Sequence, residues 1–174
     1  MIDHAARAKA LFMQGYNCAQ SVFCAFTDVT GLDLDTSARL ASSFGGGLGR
    51  LRQVCGTVSA AAMVLGLAKG YDIPGDDGLK KAHYARVRDF AARFTAINGS
   101  IICRDLLESA GIGAGVGGDP EARTPEYYKK RPCPELAWQA ARILDDMLYG
   151  IGQDENQGGG RKNSSQSAGS CGIM

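Results

Sequence analysis

The sequence predicts an all-α fold: a single compact multi-helix domain at residues 1–150, followed by a disordered tail at 151–174. Apolar residues recur at spacings of three and four along the first part of the chain, which is the period of an amphipathic helix. No stretch shows the period-two alternation of a half-buried strand. Gly, Asn and Pro divide the pattern into about six to seven helices. The last 24 residues are rich in Gly, Ser, Gln and Asn and poor in hydrophobic residues, which is typical of disorder.

The first three helices are each bounded by turn or capping residues. They are expected at 3–15, at 18–30 and from Asp35 or Thr36 to Phe44. Asn17 is suited to cap the second helix, which puts Cys18 in its first turn. The run Gly45–Gly49 breaks the third helix. We expect this loop to let the backbone pass close to the site that contains Cys55.

The later helices are predicted at 52–69, 77–98, 100–111 and from Pro132 to about residue 150. The helix at 77–98 has the clearest apolar stripe, and we interpret His83 on that stripe as a hydrogen-bonded core residue rather than a ligand. Pro134 suits the first position of the last helix, so Cys133 lies close to its N-cap. The intervening segment 111–131 is rich in Gly, contains two prolines and is predicted to be a loop.

Composition limits the classes of partner. Lys and Arg number 19 against 18 Asp and Glu, giving a net charge of +1, so no broad positive field favours nucleic acid. No segment approaches the ~20 apolar residues of a membrane helix, and the charged N-terminus does not resemble a secretory signal. We therefore predict a cytoplasmic protein without nucleic-acid binding or stable membrane insertion. In that compartment six cysteines indicate reduced thiols, a metal or a redox centre rather than a disulfide framework.

Four of the cysteines share a position, since each is predicted within the first turn of a different helix. They are Cys18, Cys55, Cys103 and Cys133. Unpaired amide N–H groups and the helix dipole favour negative charge there, so we expect lowered thiol pKa values. Nucleophilic thiols and metal-ligating thiols both need that property. Cys24 points away from the Cys18 face of its helix and is assigned to the core.

The residues alone leave the chemistry of these cysteines open. Four thiolates suit an iron–sulfur cluster or a tetrahedral zinc site, although the spacing lacks a local Cys-x-x-Cys pair. Thiol–disulfide exchange would need two of them to be adjacent, one attacking and one resolving. Four buried thiols that act only as small hydrophobic residues remain the alternative without a function.

Five landmarks of the chain together resemble the C-GCAxxG-C-C family, over roughly residues 5–149. They are Gly15-Tyr16-Asn17-Cys18-Ala19-Gln20, Phe44 to Arg50, Val54-Cys55-Gly56, Asn98 to Leu107, and Arg131-Pro132-Cys133. The four family cysteines correspond to Cys18, Cys55, Cys103 and Cys133. The chain has Thr57 and Ala60 where the family usually has Ala and Gly.

The resemblance implies a redox-active protein of bacterial type. A similar cysteine region accompanies the iron–sulfur centre of split-Soret cytochromes, so the resemblance favours an iron–sulfur cluster for electron transfer or redox sensing, bound by all four cysteines. The alternatives are a thiol–disulfide oxidoreductase in which Cys55 attacks, and a structural zinc site in an interaction module. The implied partner is a redox protein such as an oxidoreductase or a transporter-associated protein, and small-residue helix faces permit a homodimer.

The terminal Cys171-Gly172-Ile173-Met174 fits a prenylation box, a processing not expected in bacteria.

Overall fold

A computed structural model describes residues 2–150 and shows an all-α fold, as predicted. The described part contains nine α-helices and one short 3₁₀ turn at Ser42–Phe44. The helices are α1 (His4–Met13), α2 (Cys18–Ala25), α3 (Thr27–Thr30), α4 (Leu34–Ala41), α5 (Gly56–Lys69), α6 (Asp77–Asn98), α7 (Cys103–Glu108), α8 (Pro125–Lys130) and α9 (Cys133–Tyr149). The tail predicted to be disordered, 151–174, and its Cys171 lie outside the described residues. None of the described helices has the length and apolarity needed to span a membrane.

Side-chain caps fix several helix starts. Asn17 accepts hydrogen bonds from the backbone of α2, and Gln20 bonds back to it, which completes a capping box. Asp33, rather than Asp35 or Thr36, caps α4. Helix α6 begins after its cap Asp76 and ends at Gly99, whose left-handed conformation stops the helix. Its observed bounds are therefore the predicted ones.

Four expectations about the elements are wrong. The helix predicted at 100–111 spans only Cys103–Glu108. The helix predicted at 18–30 is interrupted at Phe26, which separates α2 from α3. The helix predicted from Arg52 begins only at Gly56, because residues 52–55 leave the helical conformation to pair with another segment. The segment predicted as loop contains α8, which Thr124 caps and Pro125 begins.

The core lies between α1, α2, α5 and α9. Helix α2 is central and contacts α1, α4, α5 and α9. Helix α6 packs on α5 and α9, burying Phe90 and Phe94, while Leu79 on the same stripe is exposed. His83 is half-buried beside Tyr71, and its Nδ1 has no hydrogen-bond partner among the described residues. The interpretation of His83 as a hydrogen-bonded core residue is therefore wrong, because this end of α6 extends beyond the core.

A buried histidine joins the first and last helices. Its Nδ1 lies 2.6 Å from Asp145 Oδ1 of α9, and Nε2 of the same His4 lies 3.1 Å from both carboxylate oxygens of Asp28 in α3. Only 2% of His4 is exposed, and its ring stacks on Phe26 at 4.2 Å between centroids. Sequence analysis missed this cluster because its members are far apart in the chain.

Candidate cysteine centre

The structure places the four cysteines at four separate helix starts, as predicted. Cys18, Cys103 and Cys133 are the first residues of α2, α7 and α9, and Cys55 is the N-cap of α5. All four line one cavity of about 400 Å³. The sequence therefore identified a set of residues that the fold brings together, although they are separated by gaps of 37, 48 and 30 positions in the chain.

Cys24 belongs to the core. Its side chain is buried between helices and does not line the cavity. Burial raises the pKa of its thiol to about 11, although the nearby Arg7 opposes this rise. The assignment of Cys24 to packing is confirmed, which makes it an internal control for any experiment on the other four.

A short backbone pairing fixes the positions of Cys55 and Cys103. Val54 and Ile102 form an isolated antiparallel bridge. Beside it, the Cys55 N–H donates to Ile101 O at 2.8 Å, and the Cys103 N–H donates to Gln53 O at 2.7 Å. The two cysteines are thus held on neighbouring backbone segments before their helices begin.

Two glycines let backbone segments approach the thiols. A Cβ at Gly56 would lie 2.7 Å from Cys18 Sγ and 2.7 Å from Phe44 O. A Cβ at Gly47 would lie 2.7 Å from the Cβ of Cys103, and its φ of +69° is also unfavourable for other residues. The expected close wrapping of the glycine loop around the cysteines is therefore observed.

Three non-glycine residues within this loop or just after it have left-handed backbone conformations. Leu48, Arg50 and Arg52 have φ values of 63°, 65° and 59°. Such a conformation costs about 1–2 kcal/mol per residue, so the surrounding structure must stabilise it. The Arg52 N–H donates to Gly46 O at 3.2 Å, and the Arg50 carbonyl accepts from Gly117 N at 3.1 Å. This backbone path brings the side chains of both arginines to the cavity.

Burial, rather than helix position, dominates the electrostatics of the thiols. It raises the pKa of Cys18 and Cys55, and it raises that of Cys133 to about 12, with the neighbouring thiols adding to each rise. Backbone N–H groups of Gly46, Ala19 and Gly56 act on Cys18 in the opposite direction. The expectation that helix starts lower these three pKa values is wrong, because loss of water outweighs the favourable amides.

Four arginines line the same cavity, and the sequence analysis did not single out two of them, Arg123 and Arg131. They are Arg50, Arg52, Arg123 and Arg131. Glu121 is the only acidic residue among the described residues that line it. Arg131 forms an ion pair with Glu121, and Arg50 lies 4.0 Å from the same carboxylate. A cavity with four guanidinium groups and one carboxylate favours anionic contents.

Two of these arginines make contacts that tie them to the site. Only 4% of Arg52 is exposed, and its Nη1 lies 3.9 Å from Cys103 Sγ. The Arg123 guanidinium lies over the ring of Phe12 at 4.6 Å and that of Tyr127 at 5.0 Å. Tyr127 belongs to α8 and lines the cavity, so this helix covers part of the site.

The four thiols line one cavity but are not positioned, in the described residues, as ligands of one metal ion. In residues 2–150, no three His, Cys, Asp or Glu side chains are grouped closely enough to hold a single metal ion. The four cysteines nevertheless share the cavity wall.

Comparison with known families agrees with this cysteine pattern. The family model described as "Putative redox-active protein (C_GCAxxG_C_C)" matches residues 16–147, which include all four cavity cysteines. The chain belongs to the C-GCAxxG-C-C family. No curated protein and no solved structure matches it. Membership of a redox-active family and the common cavity together make the cysteines of this C-GCAxxG-C-C protein its candidate functional centre.

Proposed function

We propose that this C-GCAxxG-C-C protein carries an iron–sulfur cluster held by Cys18, Cys55, Cys103 and Cys133, and that it works in electron transfer or redox sensing. One observation carries the proposal: four thiols from four helix starts line a single cavity. When bound, the cluster would supply one-electron chemistry. The protein would supply the ligands, exclude water and set the charge around the centre.

The alternative of a single zinc ion requires the four thiols to lie very close together. Four thiolates on one zinc lie at about 2.3 Å from the metal, and hence within about 4 Å of one another. The described side chains form no such group. A structural zinc site would require the cysteines to move inward together.

The surroundings of the sulfur atoms support an anionic centre. A cluster bound by four thiolates carries negative charge that burial makes unfavourable unless it is balanced. Arg52 lies beside Cys103, and three backbone N–H groups are directed at Cys18. Hydrogen bonds and positive charge of this kind stabilise ligating sulfur and tune reduction potential.

Thiol–disulfide exchange is supported less well. An attacking cysteine must be available as a thiolate, but burial raises the pKa of Cys55 and keeps its thiol protonated near neutral pH. The Cys55 sulfur instead lies 3.2 Å from Thr57 Oγ1. Cys55 is therefore better suited to ligate a metal, which displaces the proton, than to attack a disulfide.

Matched cysteine variants test the proposal. Cys55→Ser and Cys24→Ser both remove a buried thiol, but only Cys55 lines the cavity. After strictly anaerobic purification, we expect Cys55→Ser to lose its iron and sulfide and Cys24→Ser to keep both. Full iron content in Cys55→Ser would refute the proposed ligand set. Stoichiometric zinc without sulfide would instead establish the zinc alternative.

The partner and the compartment follow from the same proposal. The electron partner would be a protein such as an oxidoreductase or a transporter-associated protein, as the family resemblance implies. A cytoplasmic setting fits reduced thiols, and the five cysteines within residues 2–150 are all free.

A further inference from the structure

We propose that the arginine-lined part of the cavity is a binding site for a small oxyanion beside the cysteine centre. The inference deepens the proposed function, because an anion bound there would share the cavity with the redox centre. Guanidinium groups recognise oxyanions through paired, charge-assisted hydrogen bonds. The site would therefore select a ligand of the size and charge of sulfate.

Positive charge exceeds negative charge among the described residues that line the cavity. Glu121 is the only carboxylate lining the cavity in the described part of the chain, and it is 48% exposed. It pairs with Arg131 and lies 4.0 Å from Arg50, so its single charge is shared between two arginines. Among the described residues, neither Arg52 nor Arg123 forms an ion pair with a carboxylate within 4.0 Å.

Arg52 is largely satisfied by the protein. Its Nε donates to Gly115 O at 2.9 Å, and its Nη1 lies 3.9 Å from Cys103 Sγ. This arginine therefore belongs to the cysteine centre, where it would balance the charge of a ligating sulfur. It leaves the remaining three arginines to define the anion site.

Arg123 supplies the specific donor. Its Nη2 donates to Tyr16 O at 3.3 Å, while its Nη1 is buried and has no hydrogen-bond partner within residues 2–150. The aromatic rings of Phe12 and Tyr127 hold the guanidinium in place. An unpaired buried donor on a cation costs free energy, and an anionic oxygen in the cavity would satisfy it.

The available space restricts the ligand to a small ion. The cavity of about 400 Å³ must also contain the cysteine centre, so only part of it remains for a second occupant. The glycine loop at 45–49 lacks the Gly-Lys-Ser/Thr ending of a phosphate-binding loop. A nucleotide is therefore a poorer fit than an inorganic oxyanion.

Calorimetric titration of the anaerobically purified protein with sodium sulfate tests this inference, with sodium chloride at the same ionic strength as reference. We expect saturable sulfate binding that Arg123→Gln weakens by about tenfold or more, because a charged hydrogen-bond donor is lost. Arg88→Gln removes the same charge from the exposed face of α6, away from the cavity, and should bind sulfate like the parent protein. If Arg123→Gln does not fold, as judged by circular dichroism, the partly exposed Arg50→Gln replaces it and should also weaken binding.

Absence of saturable binding, or equal weakening by Arg88→Gln, would overturn the inference. Iron and sulfide analysis of the same samples separates it from the proposed function. Sulfate binding by a protein that never acquires iron would refute the cluster and retain the anion site. An Arg123→Gln protein that loses iron but binds sulfate normally would show that this arginine serves the cysteine centre alone, which also overturns the inference.

Discussion

Adding one methyl group at Gly56 is expected to destabilise the protein, because the new carbon would crowd atoms beside the cysteine cavity. In Gly56→Ala the new Cβ would lie 2.7 Å from Cys18 Sγ, 2.7 Å from Phe44 O and 3.1 Å from Ala19 N. Carbon contacts are optimal near 3.5–4.0 Å, and two of these three neighbours are backbone atoms that cannot rotate away. Overpacking of this kind costs about 1–3 kcal/mol. Gly56 is the first residue of α5, where the better helix propensity of alanine recovers only part of this cost, so we expect a net loss of about 1–2 kcal/mol.

Gly66→Ala on the same helix is the matched control. A Cβ at Gly66 would have no atom outside its own helix and neighbours within 4 Å, so only the helix-propensity gain of about 0.5–1 kcal/mol remains. Urea unfolding under anaerobic reducing conditions should therefore move the two midpoints in opposite directions. In a chain of this size the Gly56→Ala loss corresponds to a melting temperature about 2–8 °C lower. A Gly56→Ala protein as stable as the parent would refute the close packing of α5 against Cys18.

Two further predictions concern ionisable groups away from the thiols. His4→Phe keeps the stacked ring but removes the nitrogen that bonds to buried Asp145, so it should lower the free energy of unfolding by about 1–3 kcal/mol, measured by urea titration. A loss well below about 1 kcal/mol would contradict this. The hydrogen bond from Arg131 lowers the pKa of Glu121, so this pair stabilises the fold above the ordinary carboxyl pKa and the contribution disappears as pH falls through the lowered value. Glu121→Gln should therefore melt slightly below the parent at pH 7, by less than about 1 kcal/mol in free energy, and the difference should vanish near pH 3. A difference that persists at pH 3 would argue against the ion pair.

Local signals predicted most of the fold and the positions of the four cavity cysteines at helix starts. Capping and terminating residues define α6 without reference to any other element, and periodicity suffices for α1 and α9. The same local logic placed four cysteines at helix starts. Even α8 has a local signal that was missed, since Thr124 followed by Pro125 is a cap and a first helical residue.

The remaining features depend on contacts between distant segments. The bridge between Val54 and Ile102 delays the start of α5, and periodicity carries no trace of such a pairing. The burial of Arg52 depends on its left-handed backbone and on Gly115, far along the chain. The raised thiol pKa values follow from burial by the whole domain, which a helix-by-helix analysis does not include.

We propose that the cavity of the four cysteines holds an iron–sulfur cluster. The most direct measurement is strictly anaerobic purification followed by an absorption spectrum and by iron, sulfide and zinc analysis of the same sample. We predict a brown protein with matched iron and sulfide. A colourless, metal-free protein that resists cluster reconstitution, and whose thiols oxidise in pairs, would contradict the account and establish thiol exchange in its place.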